Sequence, residues 1–223
     1  MIATEKDKID PPGKPVNVVP FEFDPFHTHL VQSSWLEGTG CPTEATVNDG
    51  TTAGTYTDPA CPTGDPSDDH NEGLLLAKTG PTGNFAAAGA DLKNVAGITL
   101  TELGYDLRKP GLLPDDPRGS HCGAGAPRFD VTTTDGSWFI GCNSPPAVST
   151  GGGATNAFLR LRWGPVPCVL GYKDNVLSCV TGVVKSIAIV FDEGSDTGPD
   201  QFGLAVLDNI DVNGTLVGQG PRN

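Results

Sequence analysis

The chain is short of positive charge: 14 Lys and Arg stand against 27 Asp and Glu, a formal net charge of −13 over 223 residues. Such a surface repels phosphate backbones and anionic lipid, so neither nucleic acid nor a membrane surface is an expected partner. No apolar run approaches the roughly 20 residues that span a bilayer, so membrane insertion is not expected either. Charged residues make up only 18%, too few for long solvated helices laced with ion pairs. Closely spaced C-x-x-C knuckles are missing, which removes the usual structural zinc site. Also missing are the G-x-S-x-G elbow, the H-E-x-x-H zinc-protease helix, a Walker loop and the E-x-D-x-E strand pattern of one group of sandwich glycosidases. No sequence feature argues for catalysis. Among 27 acidic residues some pair would always fit a glycosidase by chance.

What the chain does have is turn chemistry. Its 30 Gly and 20 Pro are unsuited to helix interiors and suited to many short strands joined by turns, so an all-β fold is expected. Six cysteines fall into three local pairs: Cys41 with Cys61, Cys122 with Cys142, and Cys168 with Cys179. Six cysteines allow about 15 pairings, so sequential pairing is an inference from locality. Loops of these sizes would each restrain the unfolded chain by about 3 kcal/mol. An oxidising compartment, and hence secretion, is expected. The start, Met1 to Lys14, is charged and polar, as in a mature secreted chain with an added methionine.

Residues 1–20 carry Lys, Asp and Pro without periodicity and read as an extended lead-in; residues 21–223 read as one sandwich domain. Phe21 to Trp35 holds a first strand or two, and residues 38–73 form a long excursion closed by Cys41 and Cys61. Strands are predicted at Gly73 to Lys78, Ile98 to Arg108, Arg128 to Thr133, Ser137 to Gly141, Ala157 to Trp163, Val183 to Asp192 and Leu204 to Val212. Thr134-Asp135-Gly136-Ser137 reads as a hairpin turn. Phe85 to Val95, with its Ala triplet, is the one candidate helix. Asn213-Gly214-Thr215 fits a glycosylation sequon.

Alternation predicts the faces. Leu159, Leu161 and Trp163 share one side and Arg160 and Arg162 the other; Phe129 and Val131 point away from Arg128 and Asp130. Arg128, Asp130, Arg160 and Arg162 therefore form a candidate polar binding patch, provided the strands are neighbours. The competing reading is plain cross-strand Arg–Asp pairing, with Asp130 between arginines. Trp138 and Trp163 read as core, leaving Trp35 as the tryptophan to stack on a ligand. In the last strand Leu204, Val206, Ile210 and Val212 line a face on which Asp208 also falls, a costly place for a carboxylate without a partner. His27 and His29, one residue apart, would share a side on a strand and could chelate a transition metal with His70 or His121, against a default of surface histidines. The acidic loops Asp65 to Glu72 and Asp192 to Asp200 read as solvated, and neither has the EF-hand spacing.

Several segments carry a resemblance. They include Thr39-Gly40-Cys41-Pro42-Thr43, Asp58-Pro59-Ala60-Cys61-Pro62-Thr63-Gly64-Asp65-Pro66 and Asn71-Glu72-Gly73-Leu74-Leu75. Leu103-Gly104-Tyr105-Asp106-Leu107-Arg108, His121-Cys122-Gly123-Ala124-Gly125-Ala126-Pro127-Arg128-Phe129 and Val206-Leu207-Asp208-Asn209-Ile210-Asp211-Val212-Asn213-Gly214 belong with them. Together they resemble uncharacterised secreted bacterial proteins that look like jelly-roll sandwiches, and the last segment is similar to the final strand of many carbohydrate-binding jelly rolls. The resemblance implies a jelly-roll-like antiparallel β-sandwich with long disulfide-tied loops, in a secreted protein. It carries no activity. In sugar-binding jelly rolls an acidic residue near the first strand and one in the last often share a structural calcium; Glu22 or Asp24 and Asp208 occupy comparable places. The alternative is that Asp208 accepts backbone hydrogen bonds in a turn or bulge.

The function expected on these grounds is a non-catalytic extracellular module that binds carbohydrate or a cell surface, with polysaccharide or a surface glycan as partner. A secreted polysaccharide-acting enzyme, glycosidase or lyase, is the second reading. A structural protein of an extracellular assembly, with residues 1–20 as tether or exchanged strand, is the third.

Overall fold

The computed structural model describes residues 14–41, 45–48, 53–56, 68, 70–109, 126–146, 148–151, 158–198, 201 and 203–219. Sixteen strands are present among them: β1 (Asn17–Phe23), β2 (Val31–Leu36), β3 (Ala45–Asn48), β4 (Ala53–Tyr56), β5 (Gly73–Lys78), β6 (Ala87–Lys93), β7 (Leu103–Arg108) and β8 (Arg128–Thr133), then β9 (Gly136–Ile140), β10 (Val148–Gly151), β11 (Leu159–Trp163), β12 (Leu170–Lys173), β13 (Val176–Cys179), β14 (Val184–Phe191), β15 (Leu204–Val212) and β16 (Thr215–Val217). One sheet runs β1-β6-β14-β8-β9-β12-β13; the other runs β10-β11-β7-β15-β5-β2 with β16 on β15, and β3 and β4 pair apart. All pairings are antiparallel. The chain passes repeatedly from one sheet to the other, and the result is the expected jelly-roll-like sandwich.

The core follows the period-two alternation. Leu159, Leu161 and Trp163 of β11 meet Phe129 and Val131 of β8 across the sandwich. Tyr105, Phe129 and Trp163 form its centre, with ring centroids 5.2, 5.5 and 6.0 Å apart. Truncating one of these rings to alanine would cost about 3–5 kcal/mol. Trp138 and Trp163 are buried as predicted, at 2% and 1% exposure. Tight turns sit where the backbone needs positive φ. Asp174 and Asn175 join β12 to β13 at φ 51° and 63°, and Asn213 and Gly214 join β15 to β16 at 55° and 81°.

The structure corrects several expectations. The candidate helix is strand β6, lodged between β1 and β14. Its small residues fit because the Phe21 ring lies over Gly89, where any Cβ would collide with it, so tertiary packing overrides the helical preference of alanine. β1 begins at Asn17, so the last four residues of the expected lead-in are paired with β6. His27 and His29 lie in the β1–β2 turn with φ 52° and 54°, not on a strand. The row in β15 also breaks. Its register against β7 shifts between Asp208 and Asp211, and Asn209 has φ 45°. The bulge lets Ala205 and Leu207 point inward on one side and Ile210 and Val212 on the other, while Val206 faces out into a second cluster with Cys41 and Phe158. Asp208, with the parity of Val206, therefore leaves the apolar row.

Cys168 and Cys179 are bonded to each other, and Cys41 and Cys142 each take part in a separate disulfide. Cys61 and Cys122, their expected partners, lie outside the described residues. No helix of the described residues is long and apolar enough to cross a membrane.

Candidate functional site

The four residues of the predicted patch fall on two different sheets. Arg160 and Arg162 project from β11 onto the outer face of the β10-β11-β7-β15-β5-β2 sheet; Arg128 and Asp130 sit on β8, in the other sheet. The expected single patch does not exist, because β11 pairs with β7 and β8 pairs with β14.

Arg160 and Arg162 are enclosed. Asp106, with no exposure, is directly opposite Arg160 on β7 and accepts its Nε and Nη2 at 3.0 Å each. Arg162 lies 3.1 Å from the same Asp106 and 3.2 Å from Asp211. It runs over Gly104, where a Cβ would strike its side chain. Asn209 donates to Asp106 at 3.0 Å. Burial pushes the Asp211 carboxyl up despite Arg162, and burial with the Asp211 charge pushes Glu102 up. The competing reading of Arg–Asp pairing holds here, but through Asp106 and Asp211 and not Asp130.

Asp208 belongs to this closed face. It is 2% exposed and accepts the amides of Cys41 at 2.5 Å and Asn209 at 2.6 Å. Burial drives its carboxyl well above the usual range; the two amides oppose this, and Asp68 and Asp106 add to it. The Thr39–Cys41 segment is thereby seated on the sheet, with Gly40 too close to Glu72, Asp208 and Asn71 to carry a side chain.

The other predicted ligands sit elsewhere. Glu22 accepts the Ser33 amide at 3.1 Å where β1 and β2 join the sheets. Asp24 closes its turn, accepting Thr28 N, Thr28 Oγ1 and His29 N at 2.9, 3.0 and 2.7 Å. Its carboxyl is held low, first by the Thr28 amide. Glu22, Asp24 and Asp208 are thus supplied with donors at separate places, and no cluster of three His, Cys, Asp or Glu suited to a metal occurs among the described residues. Trp35 is half-buried against the core and donates to the Val18 carbonyl at 3.2 Å, fastening the two sheets. The sequon asparagine is likewise engaged, its Nδ2 donating to Thr99 O at 2.8 Å. Of the acidic loops, Asp68 accepts the Glu72 amide and Asp196 the Thr82 amide, so each is organised by protein donors.

Arg128 marks the open site. Its guanidinium clamps both Asp192 oxygens at 2.6 and 2.8 Å, reaches Asp130 at 3.1 Å and lies 5.7 Å from the centre of the half-exposed Phe139 ring. Burial pushes Asp192 up, but the Arg128 bonds and charge prevail and hold it low; at Asp130 burial prevails and raises it. Beyond Asp192 is a pocket of about 450 Å³ whose lining includes Phe23, Phe85, Lys78, Thr82, Asp192 and Glu193. That volume lies within the range of small-molecule sites.

Three pieces of chain build it. Phe23 ends β1 at 55% exposure. The 3-10 turn Thr82–Asn84 ends at Phe85, which has φ 56° and is 72% exposed. The segment after β14 brings Asp192 and Glu193. Lys78, fully buried, joins the last two by donating to Thr82 O at 3.0 Å and Asp192 O at 2.6 Å. Burial lowers its ammonium pKa, and the charges of Asp192, Glu193 and Asp196 partly restore it. Thr82 Oγ1 completes the tie through Asp196 at 2.9 Å, Thr197 at 2.8 Å and the Gly194 amide at 2.9 Å. Sequence reasoning nominated neither phenylalanine. The only trace was Phe21 and Phe23 alternating with charge, which also reads as a half-buried strand.

No protein-family model matches the chain, and no curated protein matches it. Two similar solved structures are carbohydrate-binding modules of Clostridium thermocellum. A family 11 module in complex with a β-1,3-1,4-mixed-linked tetrasaccharide shares 12% identity over 90% of each chain, with a TM-score of 0.38. The family 11 module of the cellulosomal cellulase Lic26A-Cel5E shares 11% over 92% of this chain and 90% of that one, also at 0.38. A superposition this loose transfers neither a site nor a ligand.

Proposed function

We propose that this protein is a non-catalytic extracellular module that binds carbohydrate or a glycan-bearing cell surface. The observation that carries the reading is the pair of exposed phenylalanines, Phe23 and Phe85, on one pocket that also contains carboxylates and an ammonium. Aromatic faces cover the apolar side of a small ligand, and a few polar groups fix its orientation. A sugar ring has both surfaces. The disulfide-bonded cysteines support an oxidising compartment. Asp208, the carboxyl that burial drives well above its ordinary range, belongs to the covered face of the other sheet, away from this pocket. Asp192 is held ionised by Arg128, an arrangement for positioning and not for proton transfer. Affinity electrophoresis or calorimetry against a panel of soluble polysaccharides tests the reading. Binding to at least one member without release of reducing ends is expected. No affinity for any member would remove it, and steady release of reducing ends would replace it with the hydrolase reading.

A further inference from the structure

We infer that the Phe23–Phe85 pocket selects uncharged sugar residues and rejects anionic glycans such as uronates and sulfated chains. This rests on the glycan-binding reading and names the class of glycan and the residues that choose it. Phe85 is the first observation. An aromatic residue at φ 56° is in a conformation that L side chains avoid, and here the ring gains no burial in return, since it is 72% exposed. Its place is explained by what it presents to the pocket. Phenyl rings offer no hydrogen-bonding group, so Phe23 and Phe85 must meet a C–H surface. A purely hydrocarbon ligand is disfavoured by Glu193 in the same lining, whose carboxylate would lose water without compensation.

The charges decide between neutral and acidic sugars. Arg128 is engaged by Asp192 on two nitrogens and by Asp130 on a third, so its charge is matched before a ligand arrives. Lys78 is fully buried and gives two of its N–H groups to carbonyl oxygens, so it offers no exposed cation to a carboxylate or sulfate. Glu193, in the pocket lining, accepts from Thr197 and Thr82 at 3.1 and 3.4 Å through Oε2 alone. Asp196 stands beside it on the same threonine. An anionic ring would bring like charge against these carboxylates and against a chain of net charge −13.

The test uses the full chain and its F85A, F23A and E193Q variants, each checked for an unchanged near-ultraviolet spectrum. Calorimetric titration is run with neutral gluco-, manno- and N-acetylated oligosaccharides and with oligouronates and sulfated oligosaccharides, at low and high salt. The expected result is binding of a neutral member that salt does not weaken, reduced about tenfold by each phenylalanine variant and by E193Q. Preferred binding of the uronate or sulfated ligands, falling with salt, would overturn the inference and leave the glycan reading standing. Neutral binding unchanged in all three variants would overturn the pocket assignment alone. No binding to any of these glycans would end the glycan reading, and this inference with it.

Discussion

Arg128 and Arg162 begin from the same position in the pattern, an arginine facing outward on a strand whose neighbours face the core, and they end in opposite surroundings. Arg162 is 5% exposed, held between Asp106 and Asp211 on a face roofed by Cys41 and Phe158. Arg128 keeps about a third of its side chain in solvent and braces the wall of an open pocket. One face has been turned into interior and the other left as a surface. Alternation tells which way a side chain points; it does not tell whether anything lies on top.

The contrast is measurable, and the largest effect is expected on the roofed face. Asp106→Ala should destabilise by about 3–5 kcal/mol, because two arginines lose their buried counter-charge. Asp130→Ala, on the open face, should cost under about 1 kcal/mol. Urea unfolding of the two variants side by side decides it, and equal losses would dissolve the distinction. Replacing Cys168 and Cys179 by Ser should cost about 3 kcal/mol in the same assay, from release of a short loop in the unfolded chain.

A pH titration separates Asp208 from Asp192 by sign. Asp208 has a folded pKa well above its ordinary 3.8, as Asp211 does to a lesser degree, so between those values the folded protein binds more protons than the unfolded one. Stability contributed there falls as pH rises and is recovered on mild acidification. Asp192, on the open face, is held below 3.8, so its contribution is present above that value and is lost as pH falls through its lower folded pKa. Melting temperature should therefore rise on going from neutral to mildly acidic solution and drop in stronger acid. Asp208→Asn should flatten the first limb and spare the second; an unchanged first limb would show that Asp208 titrates normally.

The smallest effect has an unusual direction. Phe85→Gly relieves the positive φ and should stabilise the fold by about 1 kcal/mol, while removing half of the aromatic pair and with it most of the ligand affinity. A destabilised Phe85→Gly protein would mean that the ring supports the fold rather than a ligand.

Much of the architecture was legible because it rests on period-two patterns. Leu159, Leu161 and Trp163 could be assigned to the core from the strand itself, and Cys168 could be paired with Cys179 by proximity. The β15 bulge was not legible, since it exists only against the register of β7, and Asp208 was therefore placed on the wrong side. β6 reads as helical in isolation and becomes a strand because two neighbours need its small residues. Phe85 gave no signal at all: its exposure depends on a turn that Lys78 and Thr82 fasten to a segment more than a hundred positions later in the chain.

By itself the sequence determined the class of fold, the local disulfide and which residues turn inward along regular strands such as β8 and β11, because backbone pleat and loop size act over a few positions. Only the tertiary structure decided that Arg128 and Arg160 belong to different sheets, that one outer face is covered, and that Phe23, Phe85 and Glu193 meet. Those outcomes depend on which strands share hydrogen bonds across long separations, and a period of two is the same whatever the neighbour.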